Sequence, residues 1–485
     1  MPFRLLFFML AFSLHPIVAT AQPCREVIAY YPSWKWYHRQ YLVNPASIDF
    51  GKYTIINYAF FKPNPDGSIS PFDPLADKTL LLGEILPQAP PGYAKRYDYG
   101  TREWHRPGTS LVDRAHGHGV KVMISIGGWT LSEHFSAIAA SEEKRRRFAG
   151  DCAEIIRTYR ADGIDMDWEY PGYAAQNGSP ADRVNFTRLL REIRDSLDAL
   201  QPLVGKRLLL TSAFGAAPTR MADIEWHRVV PLLDFVNLMT YDFYGRDFNY
   251  TNHHSPLFPP EKGIAGFDLH SVVHHLIKRY GVPPEKINIG LAFYGRSMKT
   301  KGQPGLHVSS QKMPDNVLFP EDQGAPMFYN IIPRLSQFNY HWDSLAQAPY
   351  LRGIRTNTFV SFEDERSTVS KAKYILEQGL AGAIIWDLTG DYVENPQRKG
   401  SVLQVPLATA LAATLCQRRL LDQEPLEPLP PRWSPVQRKA FAPRIALEKG
   451  LSKKELKKLK KQQKKKQKAA KPGTRPPDRY FDGGF

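Results

Sequence analysis

The sequence predicts an α/β chain closed into a (β/α)8 TIM barrel. Three observations carry that prediction. Eight short apolar, β-branched runs recur between Val27 and Trp386. Helical patterns separate most of them. The fourth run alternates acidic with apolar residues at the period of two that a strand imposes. Continuous buried strands alternating with helices belong to parallel sheets, and eight such units favour a closed barrel over an open sheet. The 485 residues suffice for one barrel with additions, and a hydrophobic content of 42% is that of a globular core rather than of a disordered chain.

At the N-terminus, Arg4, the apolar run 5–14 and the small residues Ala19-Thr20-Ala21 read as a secretory signal over residues 1–21, cleaved before Gln22. The expected location is therefore secreted, extracellular or periplasmic. The run is too short to span a bilayer, and no later stretch is long and apolar enough, so no integral membrane segment is expected. The barrel is expected over residues 22–420. Its strands are placed at 27–31, 53–60, 121–126, 163–167, 208–213, 235–239, 287–292 and 382–386, with helices such as 142–159, 185–200, 269–280 and 368–378 between them.

Two connections are too long for simple loops. One runs over 62–110 and carries Tyr93, Tyr97, Tyr99 and Trp104. The other runs over about 297–361, with a strand-like piece at 307–309 and a helix-like piece at 329–337. Long aromatic insertions at one end of a barrel build the walls of a cleft. The three cysteines, Cys24, Cys152 and Cys416, are too few for a disulfide scaffold. A bridge from Cys24 to Cys416 would close the barrel, although the sequence leaves their pairing open.

Past the barrel, residues 421–448 are a Pro-rich linker and residues 449–485 a Lys-rich tail that lacks the apolar residues to fold alone. Residues 431–485 hold 18 Lys and Arg against 4 acids, hence +14 of the chain's net +16. The body is thus almost neutral, which removes the charge argument for nucleic-acid binding there. An anionic surface remains a candidate partner for the tail.

The chemistry concentrates at the predicted strand ends. Asp165, Asp167 and Glu169 sit at i, i+2 and i+4 and share one side of strand four, while Ile164, Met166 and Trp168 share the other. Three close carboxylates repel, so at least one stays protonated near neutral pH, which is what glycosidic-bond cleavage uses. Ser125-Ile126-Gly127-Gly128 closes strand three, where glycines permit close approach. Met239-Thr240-Tyr241-Asp242 closes strand six, Trp386 strand eight, and Tyr30 and Phe60 strands one and two. The 14 histidines show no trusted ligand spacing, with His116, His118, His274 and His275 expected at the surface, so neither a metal nor a cofactor is expected.

The octet Asp162-Gly163-Ile164-Asp165-Met166-Asp167-Trp168-Glu169 resembles the signature of glycoside hydrolase family 18, the chitinases, and Ser125-Ile126-Gly127-Gly128 is similar to that family's second motif. Met239-Thr240-Tyr241-Asp242-Phe243-Tyr244 and Trp386 look like further family features, and the resemblance spans residues 26–413. It implies that the segment after Tyr294-Gly295-Arg296 is the small α+β insertion of deep-cleft chitinases, placed between strand seven and helix seven. It also implies Glu169 as general acid, and Asp167 as holder of the substrate's acetamido N–H. Asp165 would share a proton with Asp167, Tyr241 would orient the acetamido carbonyl, and Asp242 would help to keep Glu169 protonated. Trp386 would stack under the reacting sugar, with Tyr30, Phe60, Gly128, Trp129, Met239 and Arg296 binding substrate around it. The implied activity is hydrolysis of chitin or N-acetylglucosamine oligosaccharides with retention, the substrate's acetamido group acting as nucleophile. Two rivals remain: a non-catalytic glycan-binding lectin on the same barrel, which the presence of Glu169 disfavours, and a relative cutting another N-acetylglucosamine linkage. Nothing in the sequence demands more than a monomer.

Overall fold

The computed structural model describes residues 24–86, 97–98 and 103–416. The predicted signal at 1–21, Tyr93, Tyr99, the linker at 421–448 and the Lys-rich tail at 449–485 lie outside the described residues. Eight parallel strands form the barrel: β1 (Glu26–Pro32), β2 (Ile55–Pro63), β3 (Lys121–Gly127), β4 (Gly163–Asp167), β5 (Leu209–Gly215), β6 (Phe235–Met239), β7 (Ile287–Ala292) and β8 (Gly382–Trp386). Each pairs with its sequence neighbour, and β1 pairs with both β8 and β2, which closes the ring.

Both faces of these strands are covered, which is why they read as unbroken apolar runs. Side chains facing outward, among them Ile164, Met166 and Trp168, join the main core beneath the helices. Helix Glu142–Tyr159 begins at Ser141, whose side chain accepts from the Lys144 backbone N–H. Helix Leu269–Tyr280 is opened the same way by Asp268. Inside the barrel, apolar residues such as Ile28, Met123 and Ile384 form a separate cluster. Above it runs a buried polar ladder: Asn288 Nδ2 donates to Asn237 Oδ1 at 2.9 Å, and Asn237 Nδ2 to Asp165 Oδ1 at 3.2 Å.

Four strands, β1, β2, β3 and β5, are longer than the sequence suggests. β2 runs on to Pro63 because Ile69–Pro71 returns antiparallel against Phe61–Pro63. Tyr30 and Phe60 therefore lie within β1 and β2 rather than at their ends. The insertion is an antiparallel sheet in the order Arg296–Lys299, Thr358–Ser361, Ala348–Gly353, Phe338–Asp343. The strand expected at 307–309 does not form; that stretch makes only isolated bridges, with Ser309 opposite Tyr250 and Ser310 opposite Thr300. The helix expected at 329–337 is one α-turn, Phe328–Ile331, that tightens into a 3-10 helix at Ile332–Gln337, where Pro333 has no N–H to offer an α-helix. Cys24 and Cys416 are disulfide-bonded across the two ends of the barrel, and Cys152 is a buried free thiol. No helix among the described residues is long and apolar enough to cross a membrane.

Candidate active site

Strand four sets the site. Alternation drives Asp165 and Asp167 into the barrel, both almost fully buried, and Glu169 follows just past the strand end. Asp165 is the deepest and the best held. Its Oδ2 accepts from Tyr30 Oη and Ser125 Oγ, both at 2.8 Å, and its Oδ1 from Thr211 Oγ1 at 2.5 Å and Asn237 Nδ2 at 3.2 Å. Burial raises its pKa while these four donors pull it back. Asp167 has no such set, and its Oδ1 is buried without a partner. Burial first, then the neighbouring Glu169 and Asp165 carboxyls, push its pKa well up.

Glu169 faces the cleft mouth. Its pKa is raised to about 7, chiefly by desolvation, with a contribution from the negative charge of Asp242 and an opposing hydrogen bond from Tyr170. The backbone around these acids is tied to the loop after β3: Gly128 N–H donates to Asp167 O at 2.7 Å, and Glu169 N–H to Ser132 Oγ at 2.9 Å. The two glycines of that loop are required by space. A Cβ on Gly127 would stand 2.3 Å from Asp167 O, one on Gly128 would stand 2.5 Å from the Phe60 ring, and both have positive φ. Gly128, expected to touch substrate, lies behind Phe60 and is not among the residues lining the cleft.

The exit of β6 presents the opposite electrostatics. Asp242, in the left-handed region at φ 60°, accepts from Arg296 Nε and Nη2, both at 2.6 Å. The buried His254 stands with Nδ1 3.7 Å from Asp242 Oδ1, too far for a hydrogen bond but close enough to act through charge. Burial works against Asp242 ionisation, yet the Arg296 guanidinium overrides it and holds the carboxyl well below its usual range. Tyr241 packs edge-on against Tyr294, and its hydroxyl feels the charges of Asp167, Glu169 and Asp242, while burial is the main cause that raises its pKa.

The remaining walls are aromatic. Trp386 stacks on Phe60 with centroids 5.7 Å apart and planes 17° apart, and packs against Tyr30 at 5.6 Å and Trp34 at 6.5 Å. Around the mouth, Trp129 meets Tyr170 and Tyr173. The result is one open cleft of about 1110 Å³ that brings together Glu169, Asp167, Tyr241, Asp242, Tyr30, Phe60, Trp129, Met239, Arg296 and Trp386, with Asp165 beneath it. Sequence reasoning missed Thr211, Asn237, Tyr170, Trp34 and His254. Strand parity would have found the first two, since Thr211 and Asn237 occupy inward positions in β5 and β6. Of the histidines expected at the surface, His116 is exposed, and its Nε2 pairs with Asp162 Oδ2 at 2.7 Å at the foot of β4.

Residues 26–391 match the profile of glycosyl hydrolases family 18. Chitinase A1 of Niallia circulans is 31% identical over 426 residues, covering 80% of this chain and 60% of that protein. A probable endochitinase of Caenorhabditis elegans is 28% identical, covering 82% of this chain and 62% of its own length. The chain thus spans about three fifths of the length of these curated relatives. Among solved structures, a chitinase from Bacillus thuringiensis superposes with a TM-score of 0.67 at 28% identity, covering 81% of this chain and 70% of that one. A family 18 N-acetylglucosaminidase from Paenibacillus barengoltzii gives 0.59 at 28% identity, covering 80% and 99%.

Proposed function

The chain belongs to glycosyl hydrolases family 18, and we propose that it is a secreted chitinase that cleaves β-1,4-linked N-acetylglucosamine polymers with retention. One observation carries the mechanism: the cleft offers a proton donor but no free carboxylate nucleophile. Glu169, with its pKa near 7, keeps a proton to give the glycosidic oxygen. Asp242 is engaged by Arg296, and burial together with the neighbouring carboxyls disfavours the charged form of Asp167. The nucleophile then has to come from the substrate, and a 2-acetamido carbonyl attacking C1 supplies it, forming an oxazolinium ion. Asp167 takes the acetamido N–H and becomes the counter-charge, and Asp165, anchored by four donors, tolerates sharing a proton with it. Tyr241 orients the acetamido carbonyl, and Trp386 supports the reacting ring from below. The leaving sugar departs with the proton Glu169 gave it; water then attacks C1, the oxazolinium C1–O bond breaks, and Glu169 takes a proton from that water.

Digestion of soluble N-acetylglucosamine oligomers by the native chain and by Glu169→Gln tests this. We expect hydrolysis by the native protein and a loss of about 10³-fold or more in the variant. Tight binding without cleavage by the native protein would overturn it. We propose further that the Lys-rich tail attaches the enzyme to an anionic surface. Removing residues 431–485 is expected to abolish salt-sensitive retention on anionic vesicles or anionic glycan while leaving turnover of soluble oligomers intact. A collapse of turnover would show that the tail belongs to the fold.

A further inference from the structure

One cation in the cleft has no assigned work. Arg220, on the short helix Pro218–Ala222 that follows β5, lines the cleft on the same wall as Trp129 and Tyr170. Its guanidinium carbon lies 4.1 Å from the centroid of Tyr173 and 5.5 Å from that of Tyr170, so two rings fix its plane. Gly215 leaves the space for it: a Cβ there would stand 3.2 Å from the Arg220 Cβ and Cγ. Among the described residues no carboxylate pairs with it. The acid just past its helix, Asp223, lies against Gly172 instead. Arg296, the other cation that lines the cleft, is matched by Asp242. Arg220 is therefore the cation of this lining that no carboxylate among the described residues pairs with.

Its place says which part of a substrate it meets. Trp386 at the end of β8, Phe60 within β2 and Trp34 just past β1 form the platform for the reacting sugar and those before it. Glu169 stands between that platform and the wall built from the exits of β3, β4 and β5, where Trp129, Tyr170 and Arg220 lie. A group that protonates the departing oxygen sits between the two sugars it separates, so Arg220 faces the leaving one. A neutral glycan seated there would strip water from the guanidinium and return no charge. A carboxylate would meet a planar, pre-oriented fork able to bind it through two hydrogen bonds.

Resting on the family reading above, we infer that Arg220 is a specificity-determining residue that selects glycans in which N-acetylglucosamine is β-1,4-linked to a leaving sugar carrying a carboxylate. Two sources share that chemistry: a lactyl ether, as in N-acetylmuramic acid, and a uronic acid, as in glucuronate. The cleavage itself is the same hydrolysis, with water adding across the glycosidic bond.

The test compares kcat/KM of the native chain, Arg220→Gln and Arg220→Lys on three probes. These are neutral chitotetraose, a tetrasaccharide alternating N-acetylglucosamine with N-acetylmuramic acid, and one alternating it with glucuronate through the β-1,4 bond. The native chain is expected to cleave at least one acidic probe. Arg220→Gln is expected to lose about tenfold more on that probe than on chitotetraose, through KM rather than kcat. Arg220→Lys, which keeps the charge but not the planar fork, is expected to fall between. Which acidic probe responds identifies the source of the carboxylate. Equal losses on neutral and acidic probes, no loss on either, or cleavage of chitotetraose alone by the native chain would overturn the inference. Failure of the family reading looks different, since chitotetraose itself would then stay uncut while thermal melts show the protein folded.

Discussion

The exits of β4 and β6 open into the same cleft and treat their carboxyls in opposite ways. At β4, Asp167 and Glu169 have no cation beside them, and desolvation drives both toward the protonated form. At β6, Asp242 is also desolvated, though its side chain stays partly exposed, but it is gripped by the two-pronged Arg296 and stays ionised far into acid. Burial alone therefore does not decide protonation here; the presence of a fixed guanidinium does. The division has a use. Under the mechanism proposed above, a permanent negative charge on one side would help to keep Glu169 loaded on the other without a second acid competing for its role.

The largest effect should come from removing the cation. In Arg296→Gln, Asp242 is left half-buried with no fork to satisfy it, and the loss of stability should fall at about 2–3 kcal/mol, between an exposed pair and a fully buried one. The sign with pH follows from the depressed Asp242 pKa. Its stabilisation is present above the unfolded carboxyl value and fades as pH falls toward the folded one, so the gap between native and variant should narrow below about pH 4. Urea unfolding across pH 3–7 measures it, and a gap that stays constant with pH would separate Asp242 from the effect. A smaller effect is expected from the β4 side. Tyr30→Phe removes one of the four donors to Asp165, at a cost of about 1.5 kcal/mol for a bond to a charged acceptor. It should also lower kcat more than it raises KM, because in the proposed mechanism Asp165 acts through Asp167 and not on bound sugar. A change confined to KM would instead make Tyr30 a substrate contact, the role the sequence suggests for it.

The contrast was only half legible in the sequence. The β4 acids announced themselves, because alternation over eight residues is a local signal that leaves little choice of face. Four of the strands, 163–167, 235–239, 287–292 and 382–386, have the bounds that their apolar runs predict. Asp165's donors are another matter. Tyr30, Ser125, Thr211 and Asn237 come from four different strands, and only ring closure puts them around one carboxyl. The Asp242–Arg296 grip likewise spans 54 residues and two strand exits, so its effect on either pKa is invisible until the barrel is built. His254 sits in a loop segment, and Arg220 on a helix of five residues, too short for a period to betray it. The stretch 307–309 shows the reverse error, a β-branched fragment that looks like a strand but has no continuous partner.

The subtlest way to sharpen the contrast is to erase the charge at β6 while sparing the acid at β4. Asp242→Asn removes a negative neighbour that opposes ionisation of Glu169, and it also frees the Arg296 charge to favour ionisation. Both changes act in one direction, lowering the Glu169 pKa from its value of about 7. Desolvation, the larger cause, is untouched, so the pKa should stay above that of an exposed glutamate. The active form of a general acid is the protonated one, and activity falls as pH rises through its pKa. The alkaline limb of the kcat/KM profile on neutral oligomers should therefore move to lower pH by about one unit, equivalent to roughly 1.4 kcal/mol. An alkaline limb that stays in place would mean that burial alone loads Glu169. The permanent charge at β6 would then serve only to hold Arg296.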